Sequence, residues 1–515
     1  MSSPVGVVFE GFGDHAPLDL EAGPHAAADI LARIHNGTWD AFADTAAHVG
    51  YCAHPVRLHG STTRIDAHTG EVLSRFSSTD QPLGALFQRC GNRRASVCPA
   101  CSRVYARDTF EVVRCGVTGG KTVPESVADN PLLFLTLTAP SFGPVHGHRN
   151  GKPCRLRRAN DRALCEHGRP TWCMAKHGDH DECLGQPLCS DCYRYDHHLV
   201  WQWWAPELWR RFTISLGRAL ANELGIKPGK LRDHCSIQYA KVAEVQARGA
   251  IHYHALIRLD GPALLGIGAP APDTITTSRL ADLVEHAATS LRYTAPPPVE
   301  GQAPVVLAFG PQVDVKQVRD HHRPDDPDAA LKPAQVAAYL AKYATKDASD
   351  ATTNRNNPHF QRLNALCRTW ATEAALRQTR RDTGQPCTIP LWRGGIDPYA
   401  KIGKRTRDLG YRGHFATKSR RYSLTLGALR RARARFQTLL AQSGGQPVNL
   451  SFVDLLALDA HDTDDQVITV KDWRYESTGW DTSTDQALAT AAAVRAREYA
   501  QWKAATTHPH YSKES

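Results

Sequence analysis

The sequence predicts an α+β fold in which helices flank a core built on an antiparallel sheet. The runs SIQYAKVAEVQ and AIHYHALIRLD have the length and side-chain types of strands, and Gly249 between them marks the turn of a hairpin. The later run AQVAAYLAKYATK follows Pro333, a residue favoured in the first turn of a helix, and predicts a helix. With 515 residues the chain can bury a substantial core and form two or three domains.

Changes in composition along the chain predict four regions. Residues 1–125 hold a first group of cysteines, and residues 126–350 form the α+β core. A cysteine-rich insertion at about residues 154–200 interrupts that core. Residues 351–445 form a basic region, and residues 446–515 form a tail in which QALATAAAVRAREYAQWK predicts an amphipathic helix.

The tripeptide His252-Tyr253-His254 lies in the second strand of the hairpin. Alternate residues of a strand point to one face, so the two imidazoles project side by side and Tyr253 points away. Two imidazoles placed in this way can bind one cation, although a His-x-His pair in a strand is also common without an ion. The tyrosine-bearing helix that follows favours the metal site.

The register of the hairpin decides the third ligand of that site. If residues 247–249 form a three-residue loop with the glycine in the left-handed conformation, Glu244 lies directly opposite His252 on the same face. A two-residue turn would place Glu244 on the other face. Gln246 shares the face of Glu244 but is the weaker candidate, because a neutral amide attracts a cation less than a carboxylate does. Two imidazoles and one oxygen suit Mn²⁺ or Mg²⁺ and leave positions for phosphate oxygens.

One face of the predicted helix combines phenols with ammonium groups. Its members are three and four residues apart and therefore share that face: Tyr339, Lys342, Tyr343 and Lys346. A phenol with a pKa of about 10 is a poor nucleophile at neutral pH, but a nearby lysine stabilises the phenolate and a metal ion polarises the phosphate that it attacks. An ordinary amphipathic helix shows the same pattern. The preceding histidines favour a tyrosine nucleophile.

Clustered cysteines predict structural zinc. The chain has 14 cysteines but no secretory signal and no long apolar run, so we expect a cytoplasmic protein without a membrane segment, in which thiols bind zinc rather than form disulfides. A first cluster combines Cys90, Cys98 and Cys101, with Cys52 or His54 as the fourth ligand.

A second cluster lies in the cysteine-rich insertion. Cys189 and Cys192 form its clearest pair, and a structural zinc centre usually combines two such pairs. Cys165 and Cys173 are the predicted partners of this pair. Three further candidates compete with them and leave room for a second ion: His167, His177 and Cys183.

A basic segment, residues 401–435, predicts a DNA-binding surface. The chain has a net charge of +10, and this segment holds 12 lysines and arginines but one acid, Asp408. Interleaved with them are Tyr411, His414, Phe415 and Tyr422. Basic side chains neutralise phosphates and aromatic faces stack on unpaired bases, although ALRRARARFQ is also typical of a solvated helix face. The candidate DNA contacts are Lys418, Arg420 and Arg421.

Two further features limit the function. The tryptophans of WQWWAPELWRRF, at Trp201 to Phe212, are irregularly spaced, which favours core packing over a base-stacking platform. The chain does not contain the complete phosphate-loop pattern G-x4-G-K-[ST]. We therefore expect no ATPase or helicase activity, and a helicase would have to come from the host.

Three motifs occur in the order found in HUH-class rolling-circle replication initiators: FLTLT at Phe134 to Thr138, the paired histidines and the YLAKYATK helix. The whole chain resembles replication initiators of actinobacterial plasmids and integrative conjugative elements. Four blocks extend that resemblance over most of the chain, namely YCAHPVRLHG, RCGNRRASVCPACSRVYARD, LGQPLCSDCYRYDHHLVWQWW and GHFATKSRRYS.

The resemblance implies an antiparallel-sheet HUH endonuclease core in which Phe134 to Thr138 form a strand. It assigns the catalytic metal to His252 and His254 and the attack on the scissile phosphate to Tyr343. Initiators with a single nucleophile resemble this motif at Tyr343, with an acidic residue at the position of Tyr339. A tyrosine there resembles instead the isometric coliphage A proteins, in which two helix tyrosines alternate. The sequence leaves open whether Tyr339 is a second nucleophile.

The implied function is the nicking of one DNA strand at a double-strand origin. The product would be a covalent 5′-phosphotyrosine link to single-stranded DNA, with a free 3′-hydroxyl from which host DNA polymerase starts rolling-circle replication. A relaxase or single-strand transposase would share this chemistry. A non-enzymatic zinc-finger DNA-binding regulator would need neither tyrosine.

Overall fold

The structure is a computed structural model. It describes residues 7–9, 18–20, 25–157, 163–179, 181–318, 333–345, 357–392, 394–443, 446, 448–461 and 467–507. The chain divides into two compact units. We call Thr109–Leu426 the core unit, and Met1–Asp108 together with Gly427–Ser515 the terminal unit.

Strands and helices alternate irregularly along the described chain. The strands are β1 (Val7–Phe9), β2 (Leu18–Leu20), β3 (Val56–Asp66), β4 (Val72–Ser77), β5 (Leu86–Gln88), β6 (Leu132–Leu137), β7 (Ser236–Val245), β8 (Ile251–Asp260), β9 (Tyr293–Ala295), β10 (Val305–Leu307), β11 (Val313–Gln317), β12 (Ala416–Lys418) and β13 (Val467–Thr478). The α-helices are α1 (Ala26–His35), α2 (Trp39–His48), α3 (Pro99–Thr118), α4 (Tyr195–Glu223), α5 (Leu231–His234), α6 (Thr277–Thr289), α7 (Pro333–Thr345), α8 (Pro358–Asp382), α9 (Leu426–Gln442), α10 (Phe452–His461) and α11 (Ser483–Thr507). Among these helices none combines the length and the apolar character that crossing a membrane requires.

A five-stranded antiparallel sheet forms the centre of the core unit, with the strand order β11-β6-β8-β7-β12. β7 and β8 form the predicted hairpin, and β6 covers most of the FLTLT motif. β6 pairs with β8 so that Thr136 lies opposite His254. The predicted mixture of helices with an antiparallel sheet is confirmed.

Apolar side chains cover both faces of this sheet because strand residues alternate in direction. Tyr253 and Leu135 belong to a large cluster that also contains residues of α4, α6 and α8. Phe134 and Val242, on the opposite face, belong to a second cluster that includes Leu340 of α7. The removal of these side chains from water holds helices against both faces and places α7 on the face of the paired histidines.

The hairpin has the register that a three-residue loop predicts. Gly249 has a φ of +82°, and the N–H of Gln246 donates to the carbonyl of Ala250 at 2.9 Å. Glu244 pairs directly with His252. The left-handed backbone favours glycine there, and an added Cβ would lie 2.8 Å from Cδ1 of Leu409, which would have to shift.

The terminal unit has its own sheet, with the strand order β13-β3-β4 and with β5 paired to β3. A small apolar cluster of this unit combines Phe87 with cysteines of the first cluster, including Cys52 and Cys98. Trp480 stacks on Phe87 with the ring centroids 5.4 Å apart. The first cysteine cluster is therefore part of a packed core and not a surface appendage.

The tryptophans of α4 lie in the core, as their spacing favoured. Trp201 and Trp204 are no more than 1% exposed. The indole N–H of Trp204 donates to the hydroxyl of Tyr399 at 3.0 Å, and that of Trp203 donates to the carbonyl of Pro398 at 2.9 Å. These rings are satisfied inside the protein and have no free face for a nucleic-acid base.

Candidate functional site

Three donor atoms come together near the loop end of the hairpin. They belong to Glu244, His252 and His254, which we call the triad. Nε2 of His252 and Nε2 of His254 lie 2.8 and 3.3 Å from Oε2 of Glu244, and the two nitrogens are 2.9 Å apart. Ligands at neighbouring corners of an octahedral Mg²⁺ or Mn²⁺ site are about 3 Å apart when each bond is about 2.1 Å. The three atoms therefore match one face of an octahedron, and the other face would accept water or phosphate oxygens.

Outer hydrogen bonds orient the two imidazoles. The hydroxyl of Thr136 lies 3.1 Å from Nδ1 of His254, and the side-chain amide of Gln246 lies 3.3 Å from Nδ1 of His252. Because both partners engage Nδ1, Nε2 of each ring faces the centre. Gln246, the weaker ligand candidate, thus contacts the outer nitrogen of an imidazole, and Glu244 is the oxygen donor of the triad.

The surroundings of the triad set its protonation. Burial acts to raise the pKa of Glu244, but hydrogen bonds with His252 and His254 outweigh burial and lower this pKa to about 2. Burial lowers the pKa of His254, and Glu244 offsets that effect only in part. At neutral pH a carboxylate therefore lies beside a neutral imidazole, which is the state in which both groups bind a cation.

Tyr339 of α7 reaches the triad. Its hydroxyl lies 3.1 Å from Nε2 of His254, and its ring stands perpendicular to the imidazole with the centroids 5.0 Å apart. Phe134 packs edge-on against the ring of Tyr339 and stacks on the imidazole of His254. Helix α7 thus places a phenol next to the donor atoms of the sheet. Tyr339 is 36% exposed.

The other candidates on this helix are less fully defined. Tyr343 lies within α7, one turn beyond Tyr339, but its side chain is outside the described residues. Lys342 is exposed. Lys346 lies outside the described residues. The assignment of Tyr343 as the first nucleophile stays a prediction.

Four thiols converge in the terminal unit. Sγ of Cys52 lies 3.7 Å from Sγ of Cys98 and 3.6 Å from Sγ of Cys101, and the N–H of Cys90 donates to Sγ of Cys52 at 3.4 Å. Thiolates around a tetrahedral zinc ion are about 3.8 Å apart when each Zn–S bond is about 2.3 Å. The four cysteines fit such a site, and Cys52, not His54, is the fourth member.

The group around Cys189 and Cys192 differs from the predicted set at one position. Its members are Cys165, His167, Cys189 and Cys192, and Nδ1 of His167 lies 3.2 Å from Sγ of Cys192. Cys173 does not join this group. The backbone of Cys173 exchanges two hydrogen bonds of 2.9 Å with Arg155, and this pairing carries Sγ to within 3.5 Å of Nε2 of His177.

Three of the four interleaved aromatic residues of the basic segment have a different role from the expected one, whereas His414 is exposed. Tyr411, Phe415 and Tyr422 are at most 6% exposed, so their rings cannot stack on bases. The hydroxyl of Tyr422 donates to the carbonyl of Val113 at 3.2 Å. Burial of each ring removes a large apolar area from water, and this gain places these three residues in the core.

The candidate DNA contacts lie at the end of the edge strand β12 and directly after it. Lys418 pairs with Ala240 and so shares the sheet face of the triad. Its ammonium donates to the carbonyl of Ser423 at 2.9 Å, and burial lowers its pKa. Arg421 is partly buried, whereas Arg420 is exposed. Of these three, Arg420 presents the most accessible charge to a phosphate.

Sequence reasoning missed several residues of these sites. The strand motif FLTLT assigns no role to Thr136, although strand alternation together with the pairing to His254 identifies it. His146 and Cys154 precede the dense run of cysteines that predicts the second cluster. They lie with Cys173 and His177 in a separate group of potential metal ligands.

Known proteins resemble this chain over most of its length. The RepSA family model, described as "Replication initiator protein, pSAM2", matches residues 38–494. A replication initiator protein of Streptomyces ambofaciens is 35% identical over 461 residues, which cover 88% of this chain and 90% of the relative. No solved structure matches the chain. The chain therefore belongs to the RepSA family of replication initiator proteins.

Proposed function

We propose that this replication initiator is an HUH endonuclease that binds origin DNA and nicks one strand. A tyrosine of α7 would attack, and Glu244, His252 and His254 would hold a divalent ion. The contact of 3.1 Å between the hydroxyl of Tyr339 and Nε2 of His254 carries this proposal, because it places a phenol beside three donors that suit a hard cation.

The donor set suits Mg²⁺ or Mn²⁺. When bound, the ion would withdraw charge from the scissile phosphate and make the phosphorus more electrophilic. Glu244 supplies the negative charge of the site, and Thr136 and Gln246 keep both imidazoles oriented with Nε2 toward the centre.

The covalent step joins the phenolic oxygen to phosphorus. The phenol loses its proton, the bond from phosphorus to the 3′ oxygen breaks, and that oxygen takes up a proton to become a free 3′-hydroxyl. Lys342 or Lys346 would stabilise the phenolate. The phosphotyrosine diester retains the bond energy, so the cut can be resealed, and the 3′-hydroxyl serves host DNA polymerase behind a host helicase.

We propose that both tyrosines of α7 act as nucleophiles. Tyr343 is the nucleophile that the resemblance assigns. Tyr339 is a second nucleophile, because its hydroxyl reaches the triad from the preceding turn of the same helix. Two phenols on one helix face would allow one tyrosine to hold a DNA end while the other cuts.

Other parts of the chain support DNA binding. Arg420, Arg421 and Lys418 would contact phosphates beside the triad face of the sheet. Structural zinc would occupy the four-cysteine group of the terminal unit and the group of Cys189 and Cys192, since both fit closed tetrahedral sites.

The test is formation of a covalent adduct. The full chain is incubated with Mn²⁺ and a labelled single-stranded oligonucleotide that carries the cognate nick site, and the adduct is read on a denaturing gel. Tyr339→Phe, Tyr343→Phe and the double variant are compared with wild type. Tyr475→Phe is the matched control, because Tyr475 is 65% exposed in β13 of the terminal unit.

We expect a covalent adduct with wild type, with Tyr475→Phe, with Tyr339→Phe and with Tyr343→Phe. We expect no adduct with the variant that carries both Tyr339→Phe and Tyr343→Phe. Loss in Tyr343→Phe alone would leave one nucleophile and remove Tyr339 from the covalent role. A folded, metal-loaded wild type that forms no adduct would overturn nicking and favour a DNA-binding regulator.

A further inference from the structure

The core unit contains a second group of cysteines and histidines that could bind a metal ion, separate from the group of Cys189 and Cys192. Its members are His146, Cys154, Cys173 and His177. Their donor atoms all lie within 4.8 Å of one another. Cys154 is buried, and the other three are half-buried, so the group is largely enclosed by protein.

The spacing of these atoms fits a tetrahedral ion. Nδ1 of His146 lies 3.1 Å from Nε2 of His177, Sγ of Cys173 lies 3.5 Å from the same Nε2, and Sγ of Cys154 lies 3.9 Å from Nδ1 of His146. Bonds of about 2.0 Å to nitrogen and about 2.3 Å to sulfur predict tetrahedral edges of about 3.3 Å between nitrogens and about 3.5 Å between sulfur and nitrogen.

Outer contacts also match a zinc site. Nδ1 of His177 lies 3.1 Å from Oδ2 of Asp181, which in turn accepts the N–H of Gly178 at 3.1 Å. Zinc-bound histidines typically contact a carboxylate through the other ring nitrogen, which orients the ligating nitrogen. The N–H of Gly147 donates to Sγ of Cys154 at 3.3 Å, as expected for a thiolate.

Cys183 lies close to the group but outside it. Its Sγ is 3.3 Å from Nδ1 of His177 and 3.9 Å from Nε2. A sulfur bound to the same ion as Nε2 would be farther from Nδ1 than from Nε2, because Nδ1 is on the other side of the ring from the ion. Cys183 therefore belongs with Asp181, on the outer side of His177.

We propose that His146, Cys154, Cys173 and His177 form a separate structural zinc centre with two thiolates and two imidazoles. Four protein ligands leave no open position, so the centre stabilises the fold and does not take part in chemistry. The ion would join the segment that contains His146 to the segment of Cys173 and His177 and would add to the backbone hydrogen bonds of both segments.

The position of this centre gives it a second effect, on the hairpin that carries the triad. His146 exchanges backbone hydrogen bonds with Gly185 and Gln186, at 2.8 and 2.9 Å. The backbone of Gly185 packs so closely on Ala247 that a side chain there would overlap the carbonyl of Ala247. The zinc centre therefore supports the loop that sets the register of Glu244 and His252. This second effect rests on the proposed function of the triad.

The first test is zinc content, measured by plasma mass spectrometry on the purified full chain after removal of loosely bound metal. Cys154→Ser is expected to hold one zinc ion fewer per chain than wild type. Cys183→Ser is the matched control and is expected to hold the wild-type number. His146→Cys keeps four ligands, and we expect it to retain all its zinc while the zinc absorption edge gains sulfur coordination at the expense of nitrogen.

Equal zinc content in wild type and Cys154→Ser would overturn the centre, and so would zinc loss from Cys183→Ser. Retention of zinc by His146→Cys without a change in coordination would also overturn it, since His146 would then not be a ligand. These measurements use no DNA, so failure of the nicking proposal does not affect them. We also expect weaker Mn²⁺ binding by the triad in Cys154→Ser, and unchanged Mn²⁺ binding would overturn the effect on the hairpin.

Discussion

The hydroxyl of Tyr339 lies 3.1 Å from Nε2 of His254, the same nitrogen that lies 2.9 Å from Nε2 of His252 and 3.3 Å from Glu244. The phenol therefore contacts the atom that a cation would use. Binding of an ion to this nitrogen requires the phenol to leave it. Metal binding and the position of Tyr339 are for this reason coupled.

Tyr339→Phe should bind Mn²⁺ about fivefold more tightly than wild type in the absence of DNA. The variant has no hydrogen bond to break at His254, and such a bond contributes about 1 kcal/mol. Isothermal titration of Mn²⁺ into the zinc-loaded chain measures the change, with Tyr475→Phe as the control. Weaker binding by Tyr339→Phe would contradict this prediction and show that the phenol is itself a ligand.

Thr136→Val should weaken Mn²⁺ binding by about tenfold, because removal of an outer hydrogen-bond partner of a metal-binding histidine typically has that effect. The substitution keeps the shape of the side chain and removes the oxygen that lies 3.1 Å from Nδ1 of His254. Thr138→Val is the control, since its hydroxyl donates to the carbonyl of Gln312 and serves no triad residue. Equal losses in both variants would indicate a general disturbance of β6 and of the residue that follows it.

Lys241→Met should stabilise the protein at pH 7. Burial lowers the pKa of Lys241 to about 7, and this side chain is 4% exposed on the sheet face opposite the triad, over the ring of Tyr253. The folded pKa lies below the unfolded value of about 10.5, so wild-type stability should rise by about 2 kcal/mol between pH 7 and pH 9. Urea unfolding at both pH values measures this, and the exposed Lys230→Met is the control. A rise of the same size in Lys241→Met would exclude Lys241 as its source.

His359 should make the fold sensitive to mild acid. Burial lowers its pKa to about 4, and its ring nitrogens contact the carbonyl of Arg248 at 2.8 Å and the hydroxyl of Tyr195 at 3.1 Å. A depressed histidine pKa contributes stability that is complete above about pH 6.5 and is lost as the pH falls toward 4. Between pH 7.5 and 5.5 wild type should lose about 1.4 kcal/mol more than His359→Gln. Identical urea-midpoint shifts in the two proteins would contradict the prediction.

Gly185→Ala should destabilise the protein and weaken Mn²⁺ binding without altering a ligand of the triad. Gly185 has a φ of +81°, and an added Cβ would overlap the carbonyl of Ala247. Gly168→Ala is the matched control, because Gly168 has a φ of +68° in the same insertion but has nothing within 4 Å of an added Cβ. Backbone strain of about 1 kcal/mol is common to both, so only Gly185→Ala should affect the triad. Equal effects on Mn²⁺ binding would contradict the support of the hairpin by this segment.

Local sequence patterns were sufficient to predict the hairpin and the arrangement of Glu244, His252 and His254 on it. Strand alternation placed His252 and His254 on one face, and the left-handed preference of Gly249 set the loop length that brings Glu244 opposite His252. These features depend on neighbours in sequence and on the period of a strand, so they do not require knowledge of the rest of the fold. The start of α7 at Pro333 follows for the same reason.

Long-range packing decided the features that sequence reasoning missed. The choice of His167 over Cys173 beside Cys192 depends on the pairing of Cys173 with Arg155, and no local pattern encodes that pairing. The sequence predicts that Tyr411 and Tyr422, which lie near arginines, stack on bases, yet both are buried. An aromatic ring gains more free energy by packing in a core, which distant segments of the chain provide, than by exposure to solvent. The contact of Tyr339 with His254 likewise arises only when α7 packs on the sheet through apolar side chains.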